Sequence, residues 1–282
     1  MITVGFSGGL GNNLFQMATL LNLKHKNNCD YFFSTEVNRQ NLPNWSTQSR
    51  KLEISELFEN KLIFERPKNF PKEFRTYRHL DLNPDYNQRF CEVPFYDNTI
   101  YYGTFLSYKY FKDFDLKNNL ILNREIESKL KHKYSNYFRY KTISLHFRLA
   151  GDRQNPQTQK FHKDLSCDYY NESIDLLLKQ KKISSKSVKI LLFSDDIQLA
   201  KERLGNLNYN IIPIKNNNCV EDFINMSICN YNIVGNSTFS WWSAYMNKNK
   251  DNMVVAAKNN FVGPKYSHFD LKDLFPNDWV TL

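Results

Sequence analysis

The pattern of apolar and polar positions divides the chain into a regular opening, an irregular middle and a strictly alternating second half. "ITVGF" predicts a strand, Asn12 to His25 a helix with Leu14, Met17, Ala18 and Leu21 on one face, and "DYFFS" a second strand. From about residue 36 to 95, prolines and charged residues interrupt every period. Strand-like text returns in "TIYYGTF", followed by "LSYKYF", and the spacing of Ile126, Leu130 and Tyr134 marks a helix. Beyond residue 140 the strand candidates are "TISLHF", "VKILLF", "NIIPI", "YNIVG" and "NMVVAA". Helices are predicted between them at Asp168 to Lys181 (Tyr170, Ile174, Leu177 and Leu178 on one face), Ile197 to Leu204, Val220 to Cys229 and Ser237 to Lys248. Short apolar strands separated by amphipathic helices imply parallel strands with crossover helices, an α/β layered architecture. Two such units are expected, 1–135 and 136–282. Ligands on parallel sheets bind at the carboxyl ends of strands, so the residues just past each strand are the ones to question.

Composition narrows the class. A chain of 282 residues that is 41% hydrophobic and 15% aromatic can bury a large core and is not of disordered type. It has no apolar run of membrane-spanning length, and "MITVGFSGG" lacks a basic region followed by an apolar stretch, so a soluble, cytoplasmic protein is expected. Five widely spaced cysteines without a C-x-x-C pair fit reduced thiols rather than a zinc site or a disulfide framework. The net charge of +9 admits nucleic acid, an anionic membrane surface or a phosphorylated small substrate as partner. Its lysines are spread along the chain, with no aromatic–basic RNA signature and no helix-turn-helix cue, so nucleic acid is not expected. Peripheral contact with a membrane through the basic surface stays open, as does the oligomeric state.

Four stretches could carry chemistry. "GFSGGLGNNLFQMA" (5–18) holds four of the nine glycines in a strand–turn–helix layout that suits phosphate. Read as G-x-G-x-x-G it places Leu14 where the third glycine belongs; with Glu36 as the ribose carboxylate, it leaves an NAD(P)-dependent Rossmann oxidoreductase as one alternative. The uncharged donors and acceptors of Asn12, Asn13 and Gln16 suit hydroxyl recognition as well as phosphate, whereas a tight turn with a helix cap at Asn12 is the purely structural account. In "SLHFRLAGDR" (144–153) a strand delivers His146, Arg148, Asp152 and Arg153 into one loop. There the arginine forks can grip phosphate oxygens and Asp152 can orient an arginine or take a proton. "LLFSDD" (191–196) places Ser194, Asp195 and Asp196 after a buried strand, where capping of the helix at Ile197 is the simpler account and a carboxylate accepting from a base or ribose at the same sheet edge is the functional one. "YNIVGNSTFSWWSAYM" (231–246) opens a helix with Ser237, Thr238 and Ser240, an anion site without a side-chain cation, while Phe239, Trp242 and Met246 read as core. Asp113 and Asp115 in "DFD" resemble a metal-binding pair but follow no buried strand, and no metal is expected.

Taken together and in order, these motifs resemble glycosyltransferase family 11, the alpha-1,2-fucosyltransferase-like proteins. "GGLGNNLFQMA", "YGTFLSYKYF", "HFRLAGD", "FSDD", "NSTFSWWSAY" and "DLFPNDWVTL" are similar to its successive blocks and cover nearly the whole chain. The resemblance implies a GT-B-like fold with two Rossmann-like lobes facing a cleft, a GDP-fucose donor substrate, a glycan acceptor, and metal-independent, inverting transfer without a cofactor. It implies that Arg148 stabilises the departing diphosphate and that His146, Arg153, Asp195, Ser237, Thr238 and Ser240 bind the sugar nucleotide, with Asp195 toward the guanosine. Gly9, Gly11 and Asn12 would approach the sugar, and Asn13 and Gln16 the acceptor side. Two departures stand out: Ala150 is an extra residue in the H-x-R-x-G-D block, and Leu149 stands where many members carry a second arginine. The base is therefore open among Asp152, Asp164, Asp168 and none, and a non-catalytic carbohydrate-binding descendant is a further alternative.

Overall fold

The computed structural model describes residues 1–34, 50–68, 71, 73–82, 89–149, 151–159, 162, 164–258 and 271–282. Glu36 and Ala150 lie outside them, and the side chain of Asp152 is likewise not described.

Two α/β units are present. The first is Met1–Leu122 with Phe269–Pro276, the second Asn123–His268 with Asn277–Leu282. The division thus falls earlier than residue 135, because the helix Arg124–Lys133 packs on the helix Cys219–Ser227 of the second unit. In the first unit, strands β1 (Ile2–Gly5), β2 (Tyr31–Ser34), β3 (Arg75–Arg78) and β4 (Thr99–Tyr102) form a parallel sheet in the order β2-β1-β4-β3. In the second, β5 (Lys141–Phe147), β6 (Val188–Ser194), β7 (Ile211–Pro213), β8 (Tyr231–Val234), β9 (Val254–Ala256) and β10 (Val280–Thr281) form a parallel sheet in the order β10-β9-β8-β5-β6-β7.

Each sheet has a point where the chain leaves one side of a strand and returns on the other: β1 between β2 and β4, β5 between β6 and β8. Such switch points open a crevice beyond the strand ends. The two-residue period of β5 and β6 builds a core on either face. Ile143, Leu145, Ile190 and Leu192 pack with Tyr170, Ile174 and Leu177 of the helix Cys167–Lys181. Leu191 and Phe193 face Met226 and Cys229 on the other side. All five cysteines are free thiols.

Some boundaries differ from expectation. The first helix runs Leu10–Asn27 and starts at Gly9, not Asn12, with no side-chain cap. The helix Thr238–Tyr245 stops short of Lys248, since the buried amide of Asn247 turns back to the Cys229 carbonyl and to Asn232 Oδ1, both at 2.8 Å. Strand β3 and the helix Lys51–Leu57 fall in the stretch that shows no period. Arg75 and Arg78 at the ends of an exposed edge strand hide the apolar alternation that marks the other strands.

Candidate functional site

Register assembles the site in the second unit. Phe147 of β5 pairs with Ser194 of β6, so the residues that follow, Arg148 and Asp195, emerge side by side. Arg148 Nη1 lies 3.2 Å from Asp195 Oδ2, and the Leu149 N–H donates to Asp195 Oδ1 at 2.7 Å. Asp195 therefore fixes both the backbone and the guanidinium of the Arg148 segment. Asp196 caps the helix Ile197–Arg203 through the Leu199 N–H, the role its position suggests.

On the other side of β5, the end of β8 delivers Gly235 to Thr238. Gly235 is required by close approach, because a Cβ there would lie 2.4 Å from the His146 carbonyl oxygen. Ser237 caps the following helix through the Phe239 N–H, and the Ser240 hydroxyl donates to the Ser237 carbonyl at 3.2 Å. Arg153, reaching across from the β5 loop, is buried and donates from Nη2 to the Asn236 carbonyl at 2.6 Å. One N–H of its fork thus ties the two loops together.

His146 occupies the floor. It is 5% exposed, its ring sits 5.9 Å from that of Phe239, and its Nδ1 has no hydrogen-bond partner among the described residues. Burial, together with Arg148 and Arg153, outweighs the pull of Asp195 and depresses its pKa to about 4, so the imidazole is neutral at pH 7. A buried polar atom without a partner, next to an arginine and a helix start, suits a bound polar ligand.

The structure thus brings together His146, Arg148, Arg153, Asp195, Ser237, Thr238 and Ser240, all within one unit. It sets Asp164 and Asp168 elsewhere in the same segment. Asp164 pairs with Arg203 at 2.6 Å, and Asp168 is exposed in the first turn of the helix Cys167–Lys181.

The glycine loop belongs to the first unit and is built on its own switch point. Gly8 has φ +77°, where a side chain would be strained, and a Cβ there would meet Asn12 Nδ2 at 2.4 Å. Gly9 has open space beside its α-carbon, and Gly11 is buried inside the first helical turn. Asn13 and Gln16, expected on the acceptor side, are both fully buried, and their amides hold the loop. Asn13 Nδ2 donates to the Ser7 carbonyl at 3.0 Å, and its Oδ1 accepts from the Arg50 N–H. Gln16 Nε2 bridges Ser7 Oγ at 2.8 Å and the Gly103 carbonyl at 3.0 Å, tying the end of β1 to the end of β4. Buried amides must be paired, and here the backbone of the turn pairs them. Asp113 and Asp115 are a surface partner of Lys26 and a cap of the helix Leu116–Asn119.

Sequence reasoning missed Tyr169 and Tyr170 as site-shaping groups, since Tyr170 reads as one more apolar position of its helix. Tyr169 donates to the Val234 carbonyl at 2.8 Å and Tyr170 to the His146 carbonyl at 2.9 Å. The tryptophan block has a structural explanation: Trp241 stacks on Tyr245 and packs against Trp279 of the C-terminal segment, with ring centroids 5.2 Å apart for the tryptophan pair.

Comparison with known proteins agrees with this architecture. The model of the family described as Glycosyl transferase family 11 matches residues 1–282. The O-antigen biosynthesis glycosyltransferase WbnK of Escherichia coli is 28% identical over 321 aligned positions, spanning 98% of either chain. An alpha-1,2-colitosyltransferase of Escherichia coli is 26% identical over 144 positions, 50% of this chain and 47% of that protein. In fold, the chain is similar to a crystal structure of POFUT1 in complex with GDP, with TM-score 0.53 and 11% identity over 90% of this chain and 97% of that one. The fold class is accordingly α/β and GT-B-like, as the motifs imply.

Proposed function

The chain belongs to glycosyl transferase family 11, and on that premise we propose that it transfers fucose from GDP-fucose to a hydroxyl of a terminal sugar, forming an alpha-1,2 linkage with inversion and without a metal ion. The observation that carries this reading is Arg148, held by Asp195 at the end of β5, across the switch point from the start of the helix Thr238–Tyr245. A guanidinium on one side and helix N–H groups on the other are donors suited to a diphosphate. The names of the two curated relatives support an acceptor in a surface polysaccharide and a 1,2 linkage.

In the reaction, the bond between fucose C1 and the β-phosphate oxygen breaks while the acceptor oxygen bonds C1 from the opposite face. Charge accumulates on the departing GDP, and Arg148 with the helix start offsets it. Neutral His146 adds no charge and offers Nδ1 to a polar atom of the ligand. The acceptor proton passes to a carboxylate or to water. Asp164, occupied by Arg203, is the least suited of the three candidates; Asp152 and Asp168 stand as its rivals.

The test is thermal stability with GDP-fucose in EDTA, with UDP-galactose and NAD as controls, followed by transfer assays on sugar acceptors. A ligand confined to the folded state adds about 2.7 kcal/mol at a hundredfold excess over its Kd. A rise selective for GDP-fucose is expected; no rise, or one with NAD alone, overturns the reading.

A further inference from the structure

We infer that Tyr169 and Tyr170 form a paired hydroxyl clamp, positioning residues that set the spacing between the ends of β5 and β8 and so align the Arg148 loop with the helix start at Thr238 for a single diphosphate; this rests on the function proposed above. The recorded β5–β8 ladder runs from Ile143 opposite Tyr231 to Leu145 opposite Ile233. His146 and Val234 are the first residues past it, and theirs are the two carbonyls that the tyrosines take, at 2.9 and 2.8 Å. Consecutive residues on a helix point about 100° apart, which lets one turn reach two neighbouring strands. Both tyrosines lie in the first turn of the helix Cys167–Lys181, whose start is fixed by the Ser166 cap on the Tyr169 N–H.

The rings themselves are anchored apart from their hydroxyls. Tyr170 is fully buried and packs on Phe147 at 5.1 Å, and the two tyrosine rings meet edge to face at 5.0 Å. Burial raises both phenol pKa values far above the ordinary range, so both remain O–H donors at any working pH. Gly235 lies directly against the His146 carbonyl that Tyr170 holds, and Arg153 ties Asn236, the next residue, back to the β5 loop. Three tie-lines therefore converge on the two loops, and two of them are tyrosine hydroxyls with no contact to the ligand required. Small misplacements of charge-stabilising groups are costly to transfer, which is the reason such a clamp has work to do.

The experiment uses the full chain with Tyr169→Phe, Tyr170→Phe and the double variant, each keeping its ring. Leu177→Val, in the buried core of the same helix and two turns beyond the tyrosines, serves as a destabilised control that carries no hydroxyl to either strand end. GDP affinity by calorimetry, the KM and kcat for GDP-fucose, and amide hydrogen exchange of residues 147–149 and 235–238 without ligand are measured. The double variant is expected to raise the GDP Kd, to lower kcat/KM for GDP-fucose by about tenfold or more, and to speed exchange in both segments; Leu177→Val should do none of these. Wild-type affinity in the double variant, or an equal loss in Leu177→Val, overturns the clamp. If the wild type binds no GDP, the donor reading fails, and the exchange measurement decides the clamp alone: unchanged protection at 235–238 overturns it. Should the double variant not fold, the two single variants are judged by the same criteria.

Discussion

Arg148 and Asp195 are separated by most of a crossover yet adjacent in space, because a parallel pair held in register from Lys141–Val188 to Phe147–Ser194 brings the next residues of both strands together. Asp195 then does two things a solvated carboxylate would not: it orients the guanidinium and accepts the Leu149 N–H. Its assignment to guanosine is less direct than its grip on Arg148. Arg148→Ala should lower transfer by about a hundredfold or more, the scale of losing one donor to developing charge. Asp195→Asn should give a smaller loss, expressed mainly in KM, because the amide can still accept from Leu149 but no longer pairs with the guanidinium. Initial rates over a range of GDP-fucose concentrations, with melting temperatures recorded alongside, check both; an Arg148→Ala enzyme of undiminished rate would remove that residue from the reaction.

Elements in the second unit are legible where caps and periods agree. Asn218 and Glu221 form a reciprocal capping box on the helix Cys219–Ser227: the Glu221 N–H donates to Asn218 Oδ1 at 2.9 Å, and Glu221 Oε2 accepts from the Asn218 N–H at 2.8 Å. This helix supports both the helix Arg124–Lys133 and the helix Thr238–Tyr245. Asn218→Ala should cost about 1 kcal/mol in urea unfolding, a typical cap loss, with GDP affinity unchanged. The first helix is the contrary case: Gly9 precedes it with no side-chain oxygen to cap it, and the amides that suggested sugar recognition, Asn13 and Gln16, are consumed in holding the turn. Nothing in a one-dimensional pattern tells an amide that faces a ligand from one that faces its own backbone.

At the scale of the molecule, the buried His146 and the partly buried Asp222 of the second unit oppose each other in pH. Burial raises the Asp222 carboxyl, which accepts from Asn217 Nδ2, to about 7 from 3.8. Holding its proton longer when folded, it contributes stability that is complete below the unfolded value and is lost as pH rises through 7. His146, depressed to about 4 from 6.5, contributes stability that is complete above 6.5 and is lost as pH falls toward 4. Between these limits the two slopes offset each other. Asp222→Asn removes one of them, so its urea midpoint relative to wild type should improve from pH 5 to pH 8, and its own stability should fall more steeply on acidification. Parallel unfolding curves at the two pH values, with no change in the difference, would show that Asp222 does not titrate in this window.

The order of strands β5 to β9 with the main helices between them, the parallel arrangement and the loops that carry Arg148, Asp195 and Ser237 were determined by the sequence alone, because buried strands and amphipathic helices impose periods that survive in one dimension; the two-residue edge strand β10 is too short to show one. The two-unit organisation was legible for the same reason, though not its boundary, which depends on where the helix Arg124–Lys133 packs. Only the tertiary structure decided that β5 is flanked by β6 and β8, that Asp195 holds Arg148, that burial depresses the His146 pKa and leaves its Nδ1 without a partner among the described residues, and that Tyr169 and Tyr170 hold two strand ends. Each of these rests on contacts between residues far apart in the chain, set by register and packing rather than by local period.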